Sequence, residues 1–167
     1  MMSRRQLYLS IFTLSMLGLI GYYIQQPPRP PASVRLNFPE AARTNDLIEV
    51  PLEISTSVAM NAAEFYFNFP ADLLEVETID RGGSFFDLWI TDPPTFDNTT
   101  GLMSFAGGLP KPGYVGKNGL VAKIRFRAKK PGSGQITLEL EKTRILANDG
   151  LGTKIDASFT PISFTID

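Results

Sequence analysis

The segment EFYFNF, residues 64–69, alternates polar and aromatic side chains. Successive side chains of a β-strand point to opposite faces, so one face would present Glu64, Tyr66 and Asn68 while the phenylalanines point into a core. A carboxylate, a phenol and an amide can exchange hydrogen bonds with a protein partner, and tyrosine is enriched at the centres of interfaces. The segment therefore predicts a partner-binding surface; the alternative is an ordinary solvated sheet face.

Two more aromatic residues lie in segments without regular periodicity, Trp89 within residues 84–97 and Tyr114 within the loop KPGYVGKNG. If both rings are exposed, they could stack on a sugar ring or anchor a protein. The alternative is that Trp89, with Phe85 and Phe86, covers one end of the core. Trp89 and Tyr114 are thus further candidate partner-binding residues.

The residue types that most often carry catalysis are absent. The sequence has no cysteine and no histidine, which excludes a thiolate nucleophile, a Ser-His-Asp triad and a zinc site built from cysteine and histidine. Asp87, Asp92 and Asp97 cluster along the chain, but glycoside hydrolysis also needs a cleft and a raised pKa on one carboxyl group. No sequence feature indicates either, so we expect a non-catalytic protein without a cofactor or metal.

The segment NDGLG, residues 148–152, contains an acid, an amide and two glycines. It lacks the alternating acids and the distal glutamate of an EF-hand calcium loop. Asp-Gly is a strong hairpin signal, so the segment predicts a turn between two strands.

The distribution of charge argues against nucleic acid as a partner. Residues 1–31 contain three arginines and no acid, so the acidic excess lies in the rest of the chain. Phosphate backbones require a basic patch. One basic stripe does follow alternate positions of a predicted strand, and it indicates either a solvated outer face or a site for an acidic partner or anionic wall polymer. The stripe comprises Lys123, Arg125, Arg127 and Lys129.

An apolar segment without charges, LYLSIFTLSMLGLIGYYI, occupies residues 7–24. As a helix it would span roughly 27 Å, enough to cross the core of a bilayer. Arg4 and Arg5 precede it, so the positive-inside rule predicts a cytoplasmic N-terminus and an extracytoplasmic domain at the cell surface. The alternative is a cleaved signal peptide with a weak cleavage site at residues 31–33.

The segment that follows, QQPPRPP, contains four prolines and predicts an extended spacer. The sequence therefore divides into an N-terminal membrane anchor or signal peptide at residues 1–24, a proline-rich linker at 25–32 and a domain at 33–167.

Alternating patterns in the domain predict about nine short strands, which is typical of an all-β sandwich with two packed sheets. Pro51 places the second strand at an edge or a bulge, and the pair at 107–108 predicts a Gly-Gly bulge. The predicted strands are 34–38, 47–54, 62–69, 73–79, 101–109, 120–129, 135–141, 144–149 and 154–166, and a further strand is possible around 85–90.

The order of these signals is similar to one known family. The chain has VPLEI, then AEFYFNF, a proline turn and LLEV, then DNTTGLMSF, GLVAKIRFRAK, PGSGQITL and ANDGLGTKI. This ordered set, across nearly all of residues 33–166, resembles the cohesin domain of bacterial and archaeal surface proteins. The resemblance implies a nine-stranded jelly-roll sandwich that is non-catalytic and that, in cellulosomes, holds small calcium-binding dockerin modules.

The resemblance also implies where a partner would bind. In the best-known type, an asparagine and an aspartate on the aromatic strand and a glutamate on its neighbour contact dockerin. The matching positions here are Ala62, Glu64 and Gly107, so only the acid at Glu64 is kept. We expect a membrane-anchored, cell-surface module for a dockerin-like or other exported protein. The alternatives are a carbohydrate-binding module for a polysaccharide and a structural surface-layer or pilus component.

Overall fold

The computed structural model describes residues 15–16 and 30–167. In this part of the chain, no helix is long and apolar enough to cross a membrane. The predicted anchor at residues 1–24 lies outside the described residues, apart from Ser15 and Met16, so it stays a prediction.

Residues 30–167 form an all-β jelly-roll sandwich. Its strands are β1 (Ala32–Leu36), β2 (Ala41–Ala42), β3 (Leu47–Asn68), β4 (Leu74–Asp80), β5 (Leu88–Trp89), β6 (Thr95–Asp97), β7 (Leu102–Gly108), β8 (Tyr114–Ala128), β9 (Gly132–Leu138), β10 (Arg144–Ala147), β11 (Ala157–Phe159) and β12 (Ile162–Ile166).

One strand, β3, belongs to both layers. Its first half lies between β1 and β8, with β11 beyond β1 and β4 beyond β8. Its second half lies between β7 and β10 and touches β9 at its last two residues, with β5 and β6 along the far edge of β7. β12 and β2 extend from β9. The second half of β3 therefore lies at the centre of the layer that carries the EFYFNF segment.

The prediction of two separate strands at 47–54 and 62–69 was wrong, because β3 continues through residues 55–61. That stretch has neither glycine nor proline, the two residues that most strongly interrupt a strand. The chain changes layer instead through shifts in its pairing with β8 between Thr56 and Met60. At this bend residues 57–59 are exposed.

The core confirms the assignment of the aromatic face. Phe65 and Phe67 are fully buried, and the Phe65 ring lies 5.6 Å from that of Phe105 on β7. Phe69 packs edge-on against Phe126 of β8 at 5.8 Å. The alternation in EFYFNF thus sends one set of side chains between the layers and the other to the surface.

Pro51 does not lie at a sheet edge, which corrects the sequence prediction. It pairs with Lys123 of β8, and its carbonyl accepts the N–H of Asn37, just past the end of β1. The N and the C=O of a residue in a strand point to the same side. The side of Pro51 that lacks an N–H therefore points towards the end of β1, and no hydrogen bond between β3 and β8 is lost. The adjacent irregularity, at Leu52, agrees with the predicted bulge.

The Gly-Gly pair forms no bulge, because the register between β3 and β7 is continuous from Ala62 to Asn68. The glycines instead allow close packing. A Cβ on Gly107 would lie 2.8 Å from the Phe86 ring, and one on Gly108 would lie 2.1 Å from the carbonyl oxygen of Asn61. The Gly-Gly pair therefore marks a place where neighbouring segments of the chain pack closely.

Candidate functional site

The outer surface of the second layer is the candidate site. We call it the β3–β7 face and define it by the outward side chains of 62–68, Leu102–Gly108, Thr95–Asp97 and Arg144–Ala147, together with Leu88 and Ile90. Glu64, Tyr66 and Asn68 all lie on it and are half-buried. The structure therefore brings together three of the five candidate residues taken from the sequence.

Glu64 and Tyr66 form one polar unit. The Tyr66 hydroxyl donates a hydrogen bond to the Glu64 carboxylate at 2.5 Å, and Arg144 of β10 pairs opposite Glu64. The hydrogen bond to Glu64 raises the pKa of Tyr66, with burial adding to the effect. The phenol therefore stays protonated, and the hydrogen bond restrains both side chains.

A second polar unit extends the face beyond the end of β3. Asn68 donates to the Glu139 carboxylate at 2.9 Å, and Lys142 pairs with the same carboxylate at 2.6 Å. Lys142 and then Asn68 lower the pKa of Glu139. The buried hydroxyl of Thr143 accepts the backbone N–H of Tyr66 at 3.4 Å and so ties this turn to β3. Sequence reasoning missed this unit, because the pairing partners lie about seventy residues apart.

Exposed apolar side chains lie beside the polar units. Ile90 is 68% exposed, and Leu88 and Leu102 are also exposed. Ile90 donates its backbone N–H to the carbonyl of Ala106 at 2.9 Å, which fixes it at the edge of the sheet. Leu102 could have been found from the sequence, since it alternates with the buried Met103 and Phe105. Ile90 gave no such signal, because it follows a strand of only two residues.

Two depressions cross the face. A groove of about 340 Å³ is lined by residues that include Tyr66, Phe96, Leu102, Ser104 and Lys142. A smaller depression of about 200 Å³ is lined by residues that include Ala62, Glu64, Ile90, Ala106, Arg144 and Leu146. Both are lined mainly by apolar surface.

Trp89 and Tyr114 do not form the exposed pair of rings that a sugar-stacking site requires. Trp89 faces inward, packs against Phe86 at 5.6 Å and carries the Arg81 guanidinium over its ring at 5.5 Å. Tyr114 stacks on Phe85 at 4.1 Å. Both rings are half-buried and packed against the core. Their main contacts are thus internal, as the alternative for Trp89 expected.

Three of the four cations in the basic stripe pair with acids of neighbouring strands. Lys123 and Arg125 each lie 3.5 Å from Glu49 of β3, and Arg127 pairs with Glu77 of β4. These are exposed or half-exposed pairs on the outer face of the first layer. This arrangement agrees with a solvated charged face.

The remaining acidic candidates take part in local structure. Asp92 pairs with Arg81 at 3.0 Å. Asp97 accepts the backbone N–H groups of Thr99 and Thr100, which lowers its pKa. Within residues 15–16 and 30–167, no group of three or more acidic side chains is arranged to hold a metal ion.

The turn predicted at residues 148–152 is confirmed. Gly150 has a φ of 73°, and the Asp149 carboxylate accepts the N–H of Leu151 at 2.9 Å. The chain then returns antiparallel to β10, with Leu146 opposite Lys154.

Comparison with known proteins decides the family. The profile of the Cohesin domain matches residues 33–166. The chain belongs to the cohesin family. Cohesin domains are non-catalytic protein-binding modules. The comparison with curated protein sequences gave no match.

Solved structures share the fold. The cohesin of the OlpC cohesin–dockerin complex from Clostridium thermocellum has a TM-score of 0.68 and 16% identity, with 85% of this chain and 97% of that chain covered. The cohesin module of a family 33 glycoside hydrolase from Clostridium perfringens has a TM-score of 0.65 and 14% identity, covering 83% and 98%. The seventh ScaB type I cohesin from Pseudobacteroides cellulosolvens has a TM-score of 0.60 and 23% identity, covering 81% and 92%.

The register between β3 and β7 shows which of the positions implied by the family resemblance point outward. Ala62 pairs with Gly108, so both belong to the outward set with Glu64. Gly107 pairs with Ala63 and belongs to the inward set, where a side chain would meet the Phe86 ring. A functional acid cannot be supplied to this face from position 107.

Proposed function

We propose that this cohesin binds a dockerin-like exported protein through the β3–β7 face and holds it at the cell surface. The match of the Cohesin domain to residues 33–166 is the observation that carries this proposal. Several similar solved structures are cohesins in complex with dockerins.

The face has the composition of a protein interface. Exposed aliphatic side chains at Ile90 and Leu102 offer area for apolar contact, and the half-buried Tyr66 lines the larger groove together with Leu102. The surrounding polar groups are already hydrogen-bonded to each other, so less side-chain entropy is lost when a partner orders them. A partner of this face would place apolar residues over Ile90 and Leu102 and polar groups over the Glu64–Tyr66 pair.

A binding screen tests the proposal. The purified chain is tested against a panel of calcium-loaded dockerins and against exported proteins from a culture, by pull-down and then by calorimetry. Burying an isoleucine is worth about 1.5–3 kcal/mol. Since Ile90 is 68% exposed, Ile90→Ala should cost about 1–2 kcal/mol, or about 5- to 30-fold in affinity.

Leu47→Ala provides a matched control, because Leu47 is 53% exposed and lies in the first layer, away from the β3–β7 face. It should leave affinity unchanged. The double variant Glu64→Lys with Tyr66→Ala should weaken binding further. Full affinity in both face variants would refute the assignment of this face.

We also propose that residues 1–24 tether the domain to the membrane, with the N-terminus in the cytoplasm and the domain outside. The uncharged run at 7–24 and the preceding Arg4 and Arg5 support this topology. Protease added to intact cells should degrade the domain, and alkaline carbonate should leave the chain in the membrane fraction. Release by carbonate would contradict an uncleaved anchor.

A further inference from the structure

One end of the sandwich receives the chain from the linker. The carbonyl of Pro31 accepts hydrogen bonds from the backbone N–H and the hydroxyl of Ser57, at 3.0 and 3.2 Å. Ala59 in the same bend accepts the N–H of Asn148 at 2.8 Å. We call this region, made of residues 30–31, 57–59, 111–117 and 148–153, the linker end. It comprises the bend of β3, the first residues of β8, the loop that precedes β8 and the turn that follows β10.

The linker end carries three exposed aliphatic side chains. Val58, Val115 and Leu151 are 41%, 60% and 84% exposed. Val58 and Val115 are neighbours, since the pairs Thr56↔Gly116 and Met60↔Tyr114 enclose them in the ladder between β3 and β8. None of the three takes part in the core cluster or in the β3–β7 face. They are therefore available for contact with a surface outside the domain.

The surroundings of these side chains combine apolar surface with positive charge. A depression of about 320 Å³, lined mainly by apolar surface, lies between Pro31 and Val115, with Lys117 on its wall. Lys111 lies on the neighbouring loop, whose Pro112 carbonyl accepts a hydrogen bond from Asn148 at 2.7 Å. The Asp149 carboxylate points back to the N–H of Leu151 in its own turn. Aliphatic tips beside lysines match the apolar and anionic layers of a phospholipid surface.

Chain length brings this end close to the membrane. The inference rests on the proposed tether at residues 7–24. From there, residues 25–29 can span at most roughly 18 Å before Pro30. A domain of this size has a radius of gyration of roughly 14 Å. The linker end therefore stays within about one domain radius of the lipid, at a high effective concentration, so weak contacts suffice for docking.

We propose that the linker end docks on the outer surface of the phospholipid bilayer, with Val58, Val115 and Leu151 at the headgroup boundary and Lys111 and Lys117 against lipid phosphates. In this orientation the plane of the β3–β7 face is roughly perpendicular to the membrane surface. Partners then reach that face from the side, without passing between the domain and the membrane.

The absence of cysteine makes a site-specific test direct. The full-length chain carries a single cysteine in place of Val115 or Leu151, labelled with an environment-sensitive fluorophore, in vesicles of phosphatidylcholine and phosphatidylglycerol. Leu47→Cys is the matched control, because Leu47 is aliphatic, 53% exposed and up to roughly 33 Å along β3 from Ser57. Thermal unfolding of each labelled chain confirms that the domain is folded.

The labels at Val115 and Leu151 should shift to shorter emission wavelengths and lose roughly half or more of their intensity to lipids spin-labelled near the headgroup. The label at Leu47 should behave as in water. Equal responses at Val115 and Leu47 overturn the docking inference. A blue shift at Val115 that grows with protein density and resists the spin-labelled lipids also overturns it, since a second copy of the chain then covers this end.

Flotation of the same vesicles separates this inference from the tether. If the chain floats with the lipid while the Val115 label stays unquenched, the tether stands and docking is wrong. If the chain does not float, the tether is wrong and docking falls with it. Binding to the dockerin panel is measured in a separate experiment, so neither result decides whether the domain binds a dockerin.

Discussion

Gly108→Ala tests how closely β3 and β7 pack beneath the β3–β7 face. A Cβ at this position would lie 2.1 Å from the carbonyl oxygen of Asn61 and 2.9 Å from the Cα of Ala62. Both contacts are to backbone, which cannot rotate away as a side chain can. Real Cβ atoms do not come within 3.0 Å of such atoms, so the two strands must separate locally by about 1 Å.

The cost follows from that displacement. The Asn61 carbonyl also accepts the N–H of Leu109 at 2.9 Å, and an extra 1 Å takes that bond beyond hydrogen-bonding range. Overpacking costs about 1–3 kcal/mol and the lost bond about 0.5–1.5 kcal/mol. We therefore expect Gly108→Ala to lower the free energy of unfolding by about 2–4 kcal/mol, which lowers Tm by roughly 6–16 °C in a domain of this size.

Differential scanning calorimetry of the variant measures this change directly. Gly82→Ala is the control, since its Cβ would meet only the flexible Asp80 carboxylate, at 3.3 Å, and should change stability by no more than about 0.5 kcal/mol. If the two variants melt together, the β3 and β7 backbones are not in contact at Gly108, and the explanation given for the Gly-Gly pair is wrong.

Phe65→Ala should lower the free energy of unfolding by about 3–5 kcal/mol in urea titrations, because the ring is fully buried against Phe105; a loss below about 1 kcal/mol would contradict its place in the core. Glu64→Gln should return the raised pKa of Tyr66 toward its ordinary value in a titration followed by phenolate absorbance. Since the raised pKa belongs to the folded state, the stabilisation from this pair is complete below the unfolded-state pKa of about 10 and is lost as pH rises through the folded-state pKa. The urea midpoints of wild type and Glu64→Gln should therefore converge at alkaline pH, and a gap that stays constant with pH would argue against the hydrogen bond.

The sequence predicted the parts of the fold that depend on local alternation. Phe65 and Phe67 were assigned to the core because a strand gives every second side chain the same environment. The continuity of β3 through residues 55–61 was missed, because the change of layer there accompanies shifts in the pairing with β8, a strand distant in sequence. β2 and β6 were missed because strands of two and three residues hold too little pattern to detect.

Local alternation also predicted part of the candidate site. Glu64, Tyr66 and Asn68 lie on the outer face as their alternation required. Arg144 meets Glu64 from 80 positions away along the chain, and no local signal predicts such a pairing. Trp89 was ambiguous in the sequence, because its environment depends on Gly107, the residue that leaves room for its neighbour Phe86.

The participation of β3 in both layers determines how the domain unfolds. This 22-residue strand supplies the centre of both layers, so neither layer can be lost while the other keeps its ladder. We therefore expect local opening to begin in the loops, and we expect the amides of the buried parts of β3 to exchange with solvent through global unfolding. A ligand that binds only the folded protein stabilises all of it by mass action. Occupation of the β3–β7 face would therefore slow proteolysis and hydrogen exchange throughout the sandwich, including the charged face on its far side.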